Sequence, residues 1–123
     1  VPFDWVSNLI GAERNHFDRV SHFAVGFFAW PYIEFVEMKK LSNSRVFTAV
    51  TAIAGILAFA GFFELVEWQY AANAAPEAGA AFLGSQGDIW DAQKDMTADT
   101  LGAIVTTAAY VFFRWRKPSS PSC

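Results

Sequence analysis

Apolar residues dominate three stretches of this chain, and the polar residues that interrupt them fall in groups. The first stretch runs from about His16 to Met38, the second from about Arg45 to Tyr70, the third from about Gln93 to Trp115. A helix that crosses the hydrocarbon of a bilayer needs about 20 mostly apolar residues, and each stretch meets that length. Positions 46 to 63 carry no charge at all. A soluble three-helix bundle would show a polar stripe along every helix. The expected fold is therefore all-α: an integral membrane bundle of three transmembrane helices with a short N-terminal interfacial helix. In that first helix Trp5, Val6, Leu9 and Ile10 would form the face lying on the membrane. The expected organisation is a single membrane domain over residues 1–117, with spans at 16–38, 45–70 and 93–115, an outer loop at 71–92 and a disordered tail at 118–123.

Composition sharpens this. Of 123 residues 54% are hydrophobic and 17% charged, with a net charge of −3, against about 25% charged residues in an ordinary soluble domain. A disordered chain and a basic nucleic-acid binder are both excluded. The single cysteine, Cys123, removes any disulfide framework or cysteine zinc site. The chain opens at Val1 with no Met and no signal-peptide pattern, and further residues upstream are expected. Lys39, Lys40 and Arg45 fill the turn between the first two stretches, and Arg114, Arg116 and Lys117 close the third. The positive-inside rule puts loop 39–45 and the C-terminus in the cytoplasm. The loop at 71–92, with Glu77, Asp88 and Asp91 and no Lys or Arg, then faces outward. Trp5, Trp68, Trp90 and Trp115 fall near span ends, where indole favours the interface. Trp30 falls at mid-span, and Pro31 after it predicts a kink there. Ala52, Gly55 and the run Ala58–Gly61 suit close helix packing.

The acids are the informative feature. Asp18 and His22 share a helix face, and Gly26 continues it. Glu64 and Glu67 share another. Asp88, Asp91, Asp95 and Asp99 recur at spacings of 3, 4 and 4, which confines them to an arc of roughly 80°; Gly102 extends that stripe. The expected topology brings all three groups into one layer at the outer end. A carboxylate at the centre of a membrane helix costs roughly 2.5–3.5 kcal/mol, and less near the interface. Seven of them need protons, cations or basic partners, and Arg19 and Lys94 neutralise about two. Imidazole with carboxylates suits a divalent metal ion, so Asp18, His22, Glu64, Glu67, Asp88, Asp91, Asp95 and Asp99 are the candidate ligands. The spacings do not match the di-iron Glu-x-x-His pattern. Two other readings stay open. The acids pair with Arg19, Lys94 and aromatic donors and lock the helices together, or they line a proton or cation pathway.

Other polar residues carry less. His16 lies off the His22 face and reads as a cap or packing residue. Glu34 and Glu37, beside Lys39 and Lys40, read as solvated pairs. The turn Gly84–Ser85–Gln86–Gly87–Asp88 lacks a Walker lysine, which excludes nucleotide binding. No Ser/His/Asp nucleophile arrangement is present in the spacing.

Three words taken together, N-H-F-D-R-V-S-H-F-A-V-G-F (15–27), F-E-L-V-E-W (63–68) and F-L-G-S-Q-G-D-I-W-D-A-Q-K-D-M (82–96), resemble the YjdF-like inner-membrane proteins, a family of unknown function. D-R-x-x-H-F (18–23) is also loosely similar to the VanZ-like membrane proteins. The first resemblance implies a multi-pass protein of the bacterial inner membrane with further helices upstream. Its motif residues include Asp18, Arg19, His22, Glu64, Glu67, Gly87, Asp88, Trp90, Asp91, Asp95 and Gly102. It implies no reaction, and catalytic and cofactor-binding residues stay unassigned. The expected function is that of a membrane protein whose acidic/His cluster binds a divalent cation at the non-cytoplasmic end. The alternatives are an accessory subunit of a larger membrane complex and a proton or cation pathway. Expected partners are the lipid bilayer and other membrane chains or upstream helices.

Overall fold

The computed structural model describes residues 4–11, 16–83 and 88–116. The Gly84–Gly87 part of the glycine turn and the tail at 118–123 lie outside the described residues. Every regular element described is helical: α1 (Asp4–Ile10), α2 (Phe17–Val25), a 3-10 turn (Gly26–Phe28), α3 (Ala29–Met38), α4 (Arg45–Asn73), α5 (Pro76–Leu83) and α6 (Asp91–Tyr110), which continues into a π turn (Val111–Trp115). Two helical stretches are long and apolar enough to cross a membrane, Arg45–Asn73 and Asp91–Trp115. Residues 17–38 form three consecutive segments instead of one long helix.

The break in residues 17–38 falls earlier than expected. The kink was predicted at Trp30–Pro31, but both residues lie inside α3, and the irregular turn is Gly26–Phe28. A proline has no N–H for the carbonyl four residues before it, so its disturbance is felt in the preceding turn. Trp30 packs on Tyr110, whose ring meets it edge-to-face at 4.8 Å. Tyr110 is fully buried and Trp30 partly so, and such an aromatic pair is worth about 0.5–1.5 kcal/mol beyond area.

Helix α4 starts on a Ser44 cap whose side chain accepts from the Phe47 amide. Of its small residues, Ala52 and Ala60 are buried, while Gly55 has open space beside it. Helix α5 occupies part of the segment expected as a loop and folds back on the end of α4, where a Cβ on Gly79 would stand 2.8 Å from the Ala71 carbonyl oxygen.

Helix α6 is the inner element, packing against both α2 and α4. Its buried residues, Asp91, Asp95, Asp99, Gly102, Ala103, Thr106, Thr107 and Tyr110, form one stripe. The tightest approach is between Gly26 and Gly102: a Cβ on Gly26 would overlap the backbone of Gly102 and Ala103, and a Cβ on Gly102 would overlap the Phe23 carbonyl. Small residues are how membrane helices approach closely. Below this crossing lie Ala29, Ile33, Ala103 and Tyr110, all fully buried.

Candidate functional site

Above the glycine crossing the two polar stripes face each other. Asp18, His22 and Gly26 run along one side, and Asp91, Asp95, Asp99 and Gly102 along the other. Each stripe ends in glycine, so the backbones meet below while longer side chains fill the widening gap above.

Arg19 stands in the middle of that gap. Its guanidinium donates to the carboxylates of Asp91 and Asp95, reaches the Asp91 carbonyl oxygen at 3.3 Å and lies 3.8 Å from Asp88. The planar fork suits this, because its N–H groups serve two acceptors one helical turn apart. Asp88 accepts from the Trp90 amide at 3.0 Å in the turn that leads into α6, and Lys94 Nζ reaches it at 2.6 Å. His22 completes the layer. Its Nδ1 lies 3.0 Å from Asp99 Oδ2, and its Nε2 lies 3.7 Å from Asp18 Oδ1 and 3.8 Å from Asp95 Oδ1. Asp99 is 1% exposed, and its other oxygen, Oδ1, is buried without a hydrogen-bond partner among the described residues.

Glu64 and Glu67 approach from α4. Both are half-buried and within electrostatic range of His22, Asp18 and Asp91, and no described hydrogen bond or ion pair engages either. All eight residues expected from the spacing therefore belong to one end of the bundle. They divide into Asp88, Asp91 and Asp95 on Arg19, Asp18, Asp95 and Asp99 around His22, and the two glutamates opposite. Donor atoms of Asp18, His22 and Asp95 all lie within 4.8 Å of one another. Arg19, expected as a basic partner of the acids and not as a ligand, is the residue that joins Asp91 and Asp95 to α2. Its signal was its place beside Asp18 and three before His22, on the face that meets the acids.

The other end differs from its expected form. Glu37 does not pair with Lys39 or Lys40. It accepts from the Tyr110 hydroxyl at 2.7 Å and from Trp115 Nε1 at 2.5 Å, and Glu34 lies 3.7 Å from Arg114. The Arg45 guanidinium stands over the Trp115 ring at 5.6 Å. Lys40 takes a left-handed conformation at φ 51° in the loop that follows α3. His16 precedes α2 but its side chain makes no cap bond.

Comparison with known proteins gives the chain its family. Residues 1–117 match the family described as "Predicted membrane protein (DUF2238)". The chain belongs to that family. It is also 34% identical over 113 residues to "Inner membrane protein YjdF" of Escherichia coli (strain K12), across 91% of this chain and 54% of that protein. The chain thus spans about half the length of the relative. The resemblance carried by the three sequence words holds, while the looser likeness to VanZ-like proteins is not among what these matches show. No solved structure matches the chain. The protein is a membrane protein of a family whose function is unknown, with an inner-membrane relative.

Proposed function

We propose that the chain spans the membrane three times and holds a divalent cation in the layer formed by Asp18, His22 and Asp95, with Glu64 and Glu67 opposite. At ~1.5 Å per residue, residues 17–38 reach roughly 33 Å, enough for a hydrocarbon core of about 30 Å. The basic residues Lys39, Lys40, Arg45, Arg114 and Arg116 gather at the far end from the acids, which favours a non-cytoplasmic acidic layer.

The carrying observation is the orientation of His22. Nδ1 lies 3.0 Å from Asp99 Oδ2, and a neutral ring that donates from Nδ1 to this carboxylate presents the Nε2 lone pair to Asp18 and Asp95. A carboxylate that fixes the ring through one nitrogen while the other ligates is the usual arrangement behind a metal-bound histidine. The gaps of 3.7 and 3.8 Å are too long for hydrogen bonds. They approach the roughly 3–3.6 Å that separates two donors on one cation with bonds of about 2.0–2.2 Å. A cation also offsets the layer's surplus of carboxylates over Arg19 and Lys94. The expected chemistry of such a site is polarisation of a bound water or headgroup.

The test is metal content of the detergent-solubilised full chain after exposure to Zn²⁺ or Mn²⁺ and desalting. About one ion per chain is expected, with loss in His22→Ala and weakening in Asp18→Asn. Protein that retains its helical signal and thermal unfolding yet binds neither ion overturns the reading. A second reading is favoured by Arg19: its fork on Asp91 and Asp95 makes the layer a lock between α2 and α6, and this stands if no ion binds.

A further inference from the structure

The turn between α3 and α4 borders an open cavity of about 210 Å³, at the opposite end of the bundle from the acids. Glu37, Lys40, Ser42, Asn43, Arg45 and Thr48 line it. These groups divide by whether the fold already uses them. Both Glu37 oxygens are engaged, one by Tyr110 and one by Trp115. The Ser42 hydroxyl bonds within the turn to Ser44, and the Thr48 hydroxyl donates to the Ser44 carbonyl oxygen. The Lys40 ammonium, the Asn43 carboxamide and the Arg45 guanidinium make no hydrogen bond or ion pair among the described residues. Arg45 only stands over the Trp115 ring.

Lys40 holds its place against its backbone. Helix α3 ends with the Leu41 amide donating to the Val36 carbonyl oxygen at 3.0 Å, and Lys40 in between is left-handed at φ 51°. Glycine usually takes that position, because it has no Cβ to clash. Lysine there adds a cation to the cavity that the helix ending does not require. Two unpaired cations and a free carboxamide thus face one carboxylate whose oxygens are both taken. Such a donor set suits a compact anion with several acceptor oxygens. The volume lies below the roughly 300–1,000 Å³ of drug-sized sites, which fits a small charged group. In the orientation proposed above, the cavity stands at the cytoplasmic surface, at the level of lipid phosphates. A further protein segment turning at that level carries mostly Lys and Arg, the same sign as the cavity. We propose that Lys40 and Arg45 bind a phosphate group here, borne by an anionic lipid headgroup of the cytoplasmic leaflet. This site lies at the end opposite the cation layer and does not depend on it.

The test is retention of phosphatidylglycerol, against phosphatidylcholine, by the detergent-solubilised full chain, read by native mass spectrometry. Phosphatidylglycerol is expected in excess. Lys40→Gly, which suits the left-handed position, and Arg45→Gln should each weaken its retention about tenfold, the size of one hydrogen bond between charged groups. Lys39→Gln removes the same charge one residue away but outside the cavity lining, and should leave retention unchanged. Helical signal and thermal unfolding check that each variant is folded. Inorganic phosphate separates the two sources of the group. If it raises the unfolding temperature through Lys40 and Arg45 while phosphatidylglycerol is not retained, the phosphate comes from solution and the phosphate site stands. Retention that Lys39→Gln lowers as much as Lys40→Gly overturns the proposal, since diffuse charge then explains it. Retention that neither Lys40→Gly nor Arg45→Gln lowers also overturns it, and so does binding of neither lipid nor phosphate. His22→Ala should leave retention intact, so this site and the cation layer fail separately.

Discussion

The two ends of this bundle solve one task with opposite chemistry. Each joins the first helical stretch to α6 across a sequence separation of more than 70 residues. At the basic end a single carboxylate, Glu37, is shared by two neutral donors, Tyr110 and Trp115, over a fully buried aromatic ring. The Glu37 carboxylate is matched by these two donors, and Arg45 covers the outside of Trp115. At the acidic end Arg19 meets more carboxylates than one cation neutralises, and Asp99 keeps a buried oxygen without a hydrogen-bond partner among the described residues. That surplus is costly for packing, because unsatisfied buried charge destabilises. The contrast marks the acidic end as the place where the fold departs from its own most stable composition.

The largest break in this contrast should come from Arg19→Ala. It leaves Asp91 and Asp95 facing each other in a buried setting, and losing one partner of a buried pair costs about 3–5 kcal/mol. Thermal unfolding in detergent should show it, and Arg19→Ala combined with Asp95→Asn should recover part of the loss. Next is Gly102→Ala, which drives a methyl into the Phe23 carbonyl. Overpacking of this kind costs about 2–3 kcal/mol and should reduce stability at both ends, since the crossing lies between them. Tyr110→Phe removes one donor from Glu37. The cost should be about 1.5 kcal/mol, with metal content unaffected, which separates the two ends directly. Arg45→Ala, which uncovers Trp115, should cost about 0.5–1 kcal/mol. If Tyr110→Phe altered metal binding as much as Asp18→Asn, the two ends would not be independent.

Much of the acidic end was legible before any coordinates. Asp18 to Gly26 and Asp88 to Gly102 each follow helical spacing, and a topology drawn from Lys39, Lys40 and Arg114 brings them together. The role of Arg19 was harder to read, because a cation beside a group of acids pairs with any of them until the helix crossing angle is known. The Glu37 cluster was misread for a related reason. Lys39 and Lys40 are its neighbours along the chain, but its carboxylate is taken by Tyr110 and Trp115, which lie more than 70 residues away. The position of the break in the first stretch followed from Pro31 acting on the turn before it, a displacement that a glance at the proline alone does not suggest. Helix α5 is apolar and alanine-rich but too short for periodicity to distinguish it from a loop.

The glycine crossing has a mechanical consequence. With Gly26 and Gly102 in backbone contact, neither helix can slide past the other without collision, so their remaining freedom is rotation about that point as a fulcrum. Asp18 stands eight residues along, a lever arm of roughly 12 Å. A tilt of about 5° there moves its carboxylate by about 1 Å, enough to open or close a gap of a few ångströms beside His22.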